Sequence, residues 1–350
     1  MTNESPPFFR KHWKVMVNVV TLTALAVLVF AIRDQIVETF TNLHNVNLWV
    51  LLLMIPIEFL NYHSQVRLYQ RLFAIVGNKL PYWFLFRTSL ELNFVNRVFP
   101  SGGVTGISYF GLRMKNGDKL TASKATLVHF MKLVLIVITF EIILVFGLVA
   151  LAVAGKASGI VLMAVGSLAT LLVLGTATFA YIAGSKRRIN VFFVAVTKFV
   201  NWLIHLVRRG HPETINIAKA RDAFDDAHDN YVMFRKHLPE LKVPALYALL
   251  TSITELAALY IVYIAFGEFV NIGAVILAYA VANFAGLVSV LPGGVGIYEA
   301  LMTAVLAAGG VPAALSLPVT VMYRVLNTVI QIPPGYYFYH KALQGNGGIP

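Results

Sequence analysis

The 350-residue chain contains no cysteine, and only 13% of its residues are charged. Without thiols there is no disulfide, thiolate metal site, thiol nucleophile or iron–sulfur cluster. Soluble domains carry about 25% charged and about 45–50% apolar residues. Here the apolar share is 58% and the mean hydropathy +0.73, which excludes a soluble globule and a disordered chain alike. Acids are the scarcer sign, 16 against 28 Lys and Arg, for a net charge of +12. The bases sit mostly at the ends of apolar segments, the topogenic pattern of a membrane protein. No basic soluble domain or base-stacking motif accompanies them, so no nucleic-acid partner is expected. Nor is there a nucleotide-binding Gly-x-x-x-x-Gly-Lys loop. Asp225, Asp226 and Asp229 lack the spacing of a metal loop, and neither metal nor cofactor is expected.

What the chain has in abundance is long apolar runs. A membrane-crossing helix needs about 20 mostly apolar residues. Six segments qualify, at about 15–32, 48–66, 127–154, 160–184, 244–266 and 315–339. The first is too long for a signal core, and Ile32-Arg33-Asp34 is no cleavage site, so it is expected to remain as a span. Two further apolar segments, about 82–99 and 272–291, run into Phe99-Pro100-Ser101-Gly102-Gly103-Val104-Thr105-Gly106 and Leu291-Pro292-Gly293-Gly294-Val295-Gly296. Each predicts a helix, a break at Pro100 or Pro292, and a short return helix. The fold class is therefore all-α, a single integral membrane domain over 1–350 with about six full spans and two re-entrant hairpins.

Charge orients these segments. Arg10, Lys11 and Lys14 place the N-terminus inside, the loop 33–47 with Asp34 and Glu38 outside, and Arg67, Arg71 and Lys79 inside. Arg113, Lys115, Lys119 and Lys124 are inside too, so the segment 82–112 leaves and re-enters the same side. Lys156 falls in an outside turn, Lys186 to Arg188 inside, Glu268 and Asn271 outside, and Lys341 at an inside C-terminus. The halves, about 1–156 and 157–350, then run with opposite sense, an inverted-topology repeat of the kind found in transporters. Setting Pro100 on Pro292 brings Gly102 onto Gly294, Gly117 onto Gly309, Ala122 onto Ala314 and Lys132 onto Arg324. The loop 185–243 reads as an amphipathic interfacial stretch, with Trp202, Phe199 and Leu203 among Lys198, Arg208 and Arg209, followed by a solvated acidic helix.

Charges inside a bilayer are costly and face a cavity or a partner. The candidates are Glu58, Glu91, Glu141, Glu255 and Glu299, with Arg97, His129, Lys132 and Arg324. Glu58, Asn61, Tyr62 and Gln65 share one helical face; so do Thr320, Arg324, Asn327, Thr328 and Gln331, and so do His129, Lys132 and Thr139. Two readings of these stripes are open, contact between helices and the lining of a polar cavity. Asn61, Gln65, Thr139 and Gln331 fit the first; Arg324 and Glu299 fit the second; Arg97 and Lys132 fit either. Arg87 and Glu91 are spaced for a simple intrahelical pair, and Glu141 for a pair with any nearby cation. The amides freed at a break, with Gly102, Gly103, Gly293, Gly294 and Gly296, suit an anion at the start of the return helix. Glu299 lies at that positive end and competes with a bound anion unless Arg324 neutralises it. The expected site is a phosphate-sized anion pocket in an apolar sleeve, with Arg324 as clamp, Lys132 and Arg97 as further cations, and Glu299, Glu255, Glu91 and His129 as gating or pairing groups.

The stretch Val290 to Glu299, with Arg324 in the next helix, resembles the second-half signature of the lysylphosphatidylglycerol synthase transmembrane-region family, and Phe99 to Gly106 resembles its first-half counterpart. The resemblance covers nearly the whole chain. It implies a bacterial inner-membrane protein, with both termini cytoplasmic, that binds or moves a phospholipid. The family includes the flippase half of the multiple peptide resistance factor, whence the expected link to antibiotic resistance and lipid metabolism. Where relatives often carry a Glu-Arg pair, this chain has Phe130-Met131-Lys132; Lys132 keeps the charge without the guanidinium fork. The chain runs about ten residues past its last expected span, so the soluble transferase domain of two-part relatives is not expected, and no catalytic residue is assigned. Three readings follow: a lipid flippase or scramblase; a non-catalytic accessory subunit of a phosphatidylglycerol lysyltransferase or glycolipid assembly system; and a scaffold that binds anionic lipid. A homo-oligomer or a partner lipid-modifying enzyme is compatible with each.

Overall fold

The computed structural model describes residues 33–42, 46–99, 104–114, 120–155, 159–188, 234–288 and 296–344, with isolated positions between them. Pro100, Gly102, Gly103, Pro292, Gly293 and Gly294 lie outside the described residues. So do most of the first expected span and most of the loop 189–233. In chain order the helices are α1 (Arg33–Asn42), α2 (Leu48–Leu51), α3 (Met54–Ile75), α4 (Tyr82–Val98), α5 (Val104–Met114), α6 (Ala122–Val153), α7 (Gly159–Ala183), α8 (Lys242–Ala265), α9 (Ile272–Val288), α10 (Ile297–Ala308) and α11 (Ala313–Gln344). A 3-10 turn, Leu238–Leu241, leads into α8. No strand occurs among the described residues.

Among the described residues three stretches are long and apolar enough to cross a membrane: 124–153, 238–265 and 313–344. The short return helices expected after the breaks are α5 and α10. One expectation fails. The loop assigned to 33–47 contains α1, which packs against α11. Its Arg33 and Asp34 made it read as a polar connection, but ten residues is enough for a helix whose partner lies elsewhere in the chain.

Local chemistry sets several ends. α3 and α8 stop in the same way. Gly77 adopts φ +81° and Gly267 φ +79°, a left-handed backbone that only glycine enters without cost. The next amides then reach back, Asn78 N–H to Phe73 C=O at 2.8 Å and Glu268 N–H to Tyr263 C=O at 3.1 Å. α6 begins at Thr121, whose hydroxyl accepts the Lys124 N–H at 3.2 Å. Thr121→Ala removes this cap and is expected to cost about 1 kcal/mol, measurable as a lowered thermal midpoint in detergent.

α3 packs along α8 at the centre. Around this pair, α4 lies on α11 and α9 lies on α6, while α5 and α10 cover α6 and α11 respectively. One apolar cluster joins Leu144 and Leu151 of α6 to Leu259, Val262, Val275 and Leu277 of α8 and α9. A second joins Leu68, Leu72 and Phe73 of α3 to Leu85, Phe110 and Val128. The outer face of α6 is also apolar, with Phe146 68% and Val153 84% exposed. A helix greasy inside and out suits a lipid solvent.

Candidate functional site

Polar side chains gather in three places. The first is the start of α10. Gly296 takes φ +86° and donates its N–H to Glu299 Oε2 at 2.7 Å. Glu299 Oε1 accepts from Gln35 Nε2 of α1 at 2.9 Å and from Arg324 Nη1 of α11. The Arg324 guanidinium also lies over the Tyr298 ring, 4.7 Å from its centroid. The positive end of the return helix thus holds a protein carboxylate. Glu299 takes up the Gly296 amide and the Arg324 guanidinium that were expected to serve an anion. Gln35 was not foreseen, because α1 itself was not.

The second place is Glu91, which is 1% exposed on α4. The expected Arg87–Glu91 pair is not formed. Glu91 Oε2 instead accepts from Arg113 Nε at 2.8 Å and from Tyr109 OH at 2.7 Å, both on α5. Arg87 lies over the Phe338 ring at 5.7 Å. A carboxylate buried between helices takes the partner that shares its burial; an i,i+4 neighbour on the same helix points along the surface. Glu141 bonds a hydroxyl, Thr176 Oγ1 of α7 at 2.9 Å.

The third place is central, where α3, α4, α6, α8 and α11 meet. Asn61 Nδ2 donates to Thr251 C=O and to Thr254 Oγ1, both at 2.9 Å, tying α3 to α8. Gln65 Nε2 donates to Asn61 Oδ1 at 2.6 Å and Gln65 Oε1 accepts from Lys132 Nζ at 2.7 Å. The Lys132 ammonium lies 4.9 Å from the centroid of Tyr69, whose hydroxyl bonds His129 Nδ1 at 2.6 Å. Arg97, in the last turn of α4, reaches three neutral oxygens of α11: Gln331 Oε1 at 3.1 Å, Asn327 Oδ1 at 3.3 Å and Thr328 Oγ1 at 3.4 Å. Gln331 Nε2 donates in turn to Glu58 Oε2 at 2.9 Å. Glu255, partly exposed at mid-height of α8, accepts from Tyr279 OH at 2.8 Å.

Glu58, Glu255, Arg97 and Lys132 act on one another electrostatically, Arg97 on both carboxylates and Lys132 on Glu255. Yet among the described residues no carboxylate bonds Arg97 or Lys132 directly. The hydrogen bonds of both cations go to amide and hydroxyl oxygens, which a stronger acceptor can displace. The structure thus brings together Arg97, Lys132, Glu255 and His129, and with them Glu58, and the polar stripes of α3, α6 and α11 each contribute side chains to the cluster. It sets Arg324 apart with Glu299, and Glu91 apart with Arg113. Tyr69 continues the stripe of Glu58, Asn61 and Gln65 by one turn, so extending that pattern would have found it. Among the described residues no three acidic or imidazole side chains converge as metal ligands.

The sequence pattern described as "Lysylphosphatidylglycerol synthase TM region" matches residues 15–335. A "UPF0104 membrane protein" of Methanothermobacter thermautotrophicus is 32% identical over 97 residues, 28% of this chain and 29% of that protein. The match thus spans under a third of that relative's length. With a family match over most of its length and helices apolar enough to cross a membrane, the chain belongs to the lysylphosphatidylglycerol synthase transmembrane-region family.

Proposed function

We propose that the protein is a flippase- or scramblase-like protein of the bacterial inner membrane, and that Arg97 and Lys132 receive the phosphate of an anionic phospholipid headgroup. The observation that carries this reading is the bonding of the two cations. Each donates its hydrogen bonds to neutral oxygens, with the carboxylates that balance its charge not in direct contact. A phosphodiester offers charge-assisted bonds in their place, each worth about 1.5–3 kcal/mol. The acyl chains remain in the apolar surroundings of the outer helix faces. Arg324, bonded to Glu299, braces the second break and α1.

On this reading the two halves form an inverted repeat and the chain crosses the membrane about six times, with both termini cytoplasmic. Three features support the repeat. The matching glycine ends of α3 and α8 precede α4 and α9 at the same spacing. The crossed packing of α4 on α11 and of α9 on α6 is what exchange about a two-fold axis generates. The short helices α5 and α10 also recur in order, each after the hairpin's first helix and before a long one. Lipid would enter between the hairpins and reorient as the halves rock, as in other inverted-repeat transporters.

The test is translocation of fluorescent phosphatidylglycerol in reconstituted vesicles. Arg97→Ala is expected to slow it at least about tenfold, the effect of losing one charge-assisted bond. Arg97→Lys should fall between, because an ammonium cannot span three acceptors as a guanidinium does. Translocation by Arg97→Ala at the wild-type rate would falsify the assignment. Glycerol phosphate in the lumen and bath should compete weakly, since it brings the charge without the chains; strong competition would point to a soluble anion as the ligand.

A further inference from the structure

We propose that Glu58 and Glu255 form a proton site linked to headgroup binding: one proton is taken up from water onto this carboxylate pair when the anion arrives, and released when it leaves. The inference rests on the phosphate-binding reading of Arg97 and Lys132.

The argument begins with a charge count. Glu58 on α3 and Glu255 on α8 lie on the two helices of the central pair within electrostatic reach of each other; Arg97 acts on both and Lys132 on Glu255. Two anions and two cations balance. The other ionisable side chains facing the pair are the phenols of Tyr62 on α3, Tyr279 on α9, Tyr298 on α10 and Tyr323 on α11. His129 faces Lys132 and Tyr69. A phosphodiester placed on Arg97 leaves one negative charge in excess. An uncompensated charge in an apolar interior is costly, and the nearest sites able to remove it are the carboxylates. The phosphate also competes for Arg97, which acts on both carboxylates, and two carboxylates in mutual reach share a proton readily.

The hydrogen bonds supply a route for the coupling. Gln331 stands between the two sites, accepting from Arg97 through Oε1 and donating to Glu58 through Nε2. When Arg97 turns to a phosphate, Oε1 loses its donor. A protonated Glu58 has an O–H to offer, so an amide flip satisfies both side chains again. Glu58 is 4% exposed and Gln331 7%, so a bond lost there is not replaced cheaply by water.

The experiment uses the full chain in detergent and short-chain phosphatidylglycerol, whose phosphodiester keeps a single charge, so that any proton bound belongs to the protein. Uptake is read with an indicator dye in weak buffer and affinity is measured across a range of pH. About one proton per lipid is expected, with affinity rising about tenfold for each unit of falling pH where uptake occurs. Protonation favours the bound state, so the affinity levels off once the free protein already carries the proton. The double variant Glu58→Gln/Glu255→Gln should bind without uptake and with an affinity that no longer changes across this pH range. Wild-type binding with no uptake and no pH dependence overturns the proton site while leaving the headgroup site standing, and the wild type alone decides this. Uptake that persists in the double variant overturns the assignment to these two residues. Absence of phosphatidylglycerol binding at every pH removes the headgroup reading, and this inference with it.

Discussion

Glu299→Ala is expected to destabilise the protein by about 3–5 kcal/mol, the cost of leaving one member of a buried pair without its partner. The carboxylate is 6% exposed and its Arg324 partner 16%. Three donors converge on it from three elements: the Gly296 N–H that opens α10, Gln35 of α1, and Arg324 of α11. Alanine removes the acceptor for all three and leaves the Arg324 charge at a site built for an ion pair. Glu299→Gln keeps an acceptor of the same shape but no charge, so it should recover only part of the loss. Replacing both members, as Glu299→Ala/Arg324→Leu, should be milder than Glu299→Ala alone, since no lone charge is left behind. Chemical unfolding in mild detergent checks the order. A Glu299→Ala loss no larger than the 0–1 kcal/mol or so of a surface pair would mean that the pair is solvated and braces nothing.

The same site shows how far the sequence can be read. Apolar run length located the helices, since a lipid solvent demands it. It placed their ends poorly. The span read as 48–66 continues in α3 to Ile75, with Leu68, Tyr69, Leu72 and Phe73 buried while Arg67 and Arg71 are exposed. Past the apolar run the helix is amphipathic, and a window that asks for grease on every side stops too early. α1 was lost for the same reason. Among the charged groups, Arg324 could be set beside Glu299 because a carboxylate buried at the start of a helix in lipid calls for a cation, and the next helix offers one. Glu91 and Arg113 could not, because they meet only when α4 and α5 fold back on each other, and Arg87 offered a nearer local alternative. The stripes were legible as faces of single helices. Which face meets which is a property of the bundle, and that hid the contact of Arg97 with three residues of α11.

Gly273→Ala is expected to cost about 1–3 kcal/mol or more. A Cβ at Gly273 would stand 2.4 Å from the Gly147 carbonyl oxygen and 2.9 Å from the Leu151 amide nitrogen. Both are backbone atoms of α6, so no rotamer change can make room; the helices themselves must part. Gly147 is tight in return, its own Cβ falling 2.7 Å from Ile276 Cγ2. Small residues allow such approach between membrane helices, where packing replaces the hydrophobic drive. The crossing of α4 and α11 is built likewise at Gly335, whose Cβ would lie 2.8 Å from the Leu90 carbonyl oxygen. Gly335→Ala should therefore lose stability too. Gly106 is the control. Its Cβ would clash harder still, at 1.9 Å, but with the side chain of Asn96, which is exposed and free to swing away. Alanine is also favoured over glycine in a helix by about 1 kcal/mol, so Gly106→Ala should be near neutral. Thermal midpoints of the three variants, in one detergent, decide it. If Gly273→Ala matches Gly106→Ala, then α6 and α9 do not meet backbone to backbone.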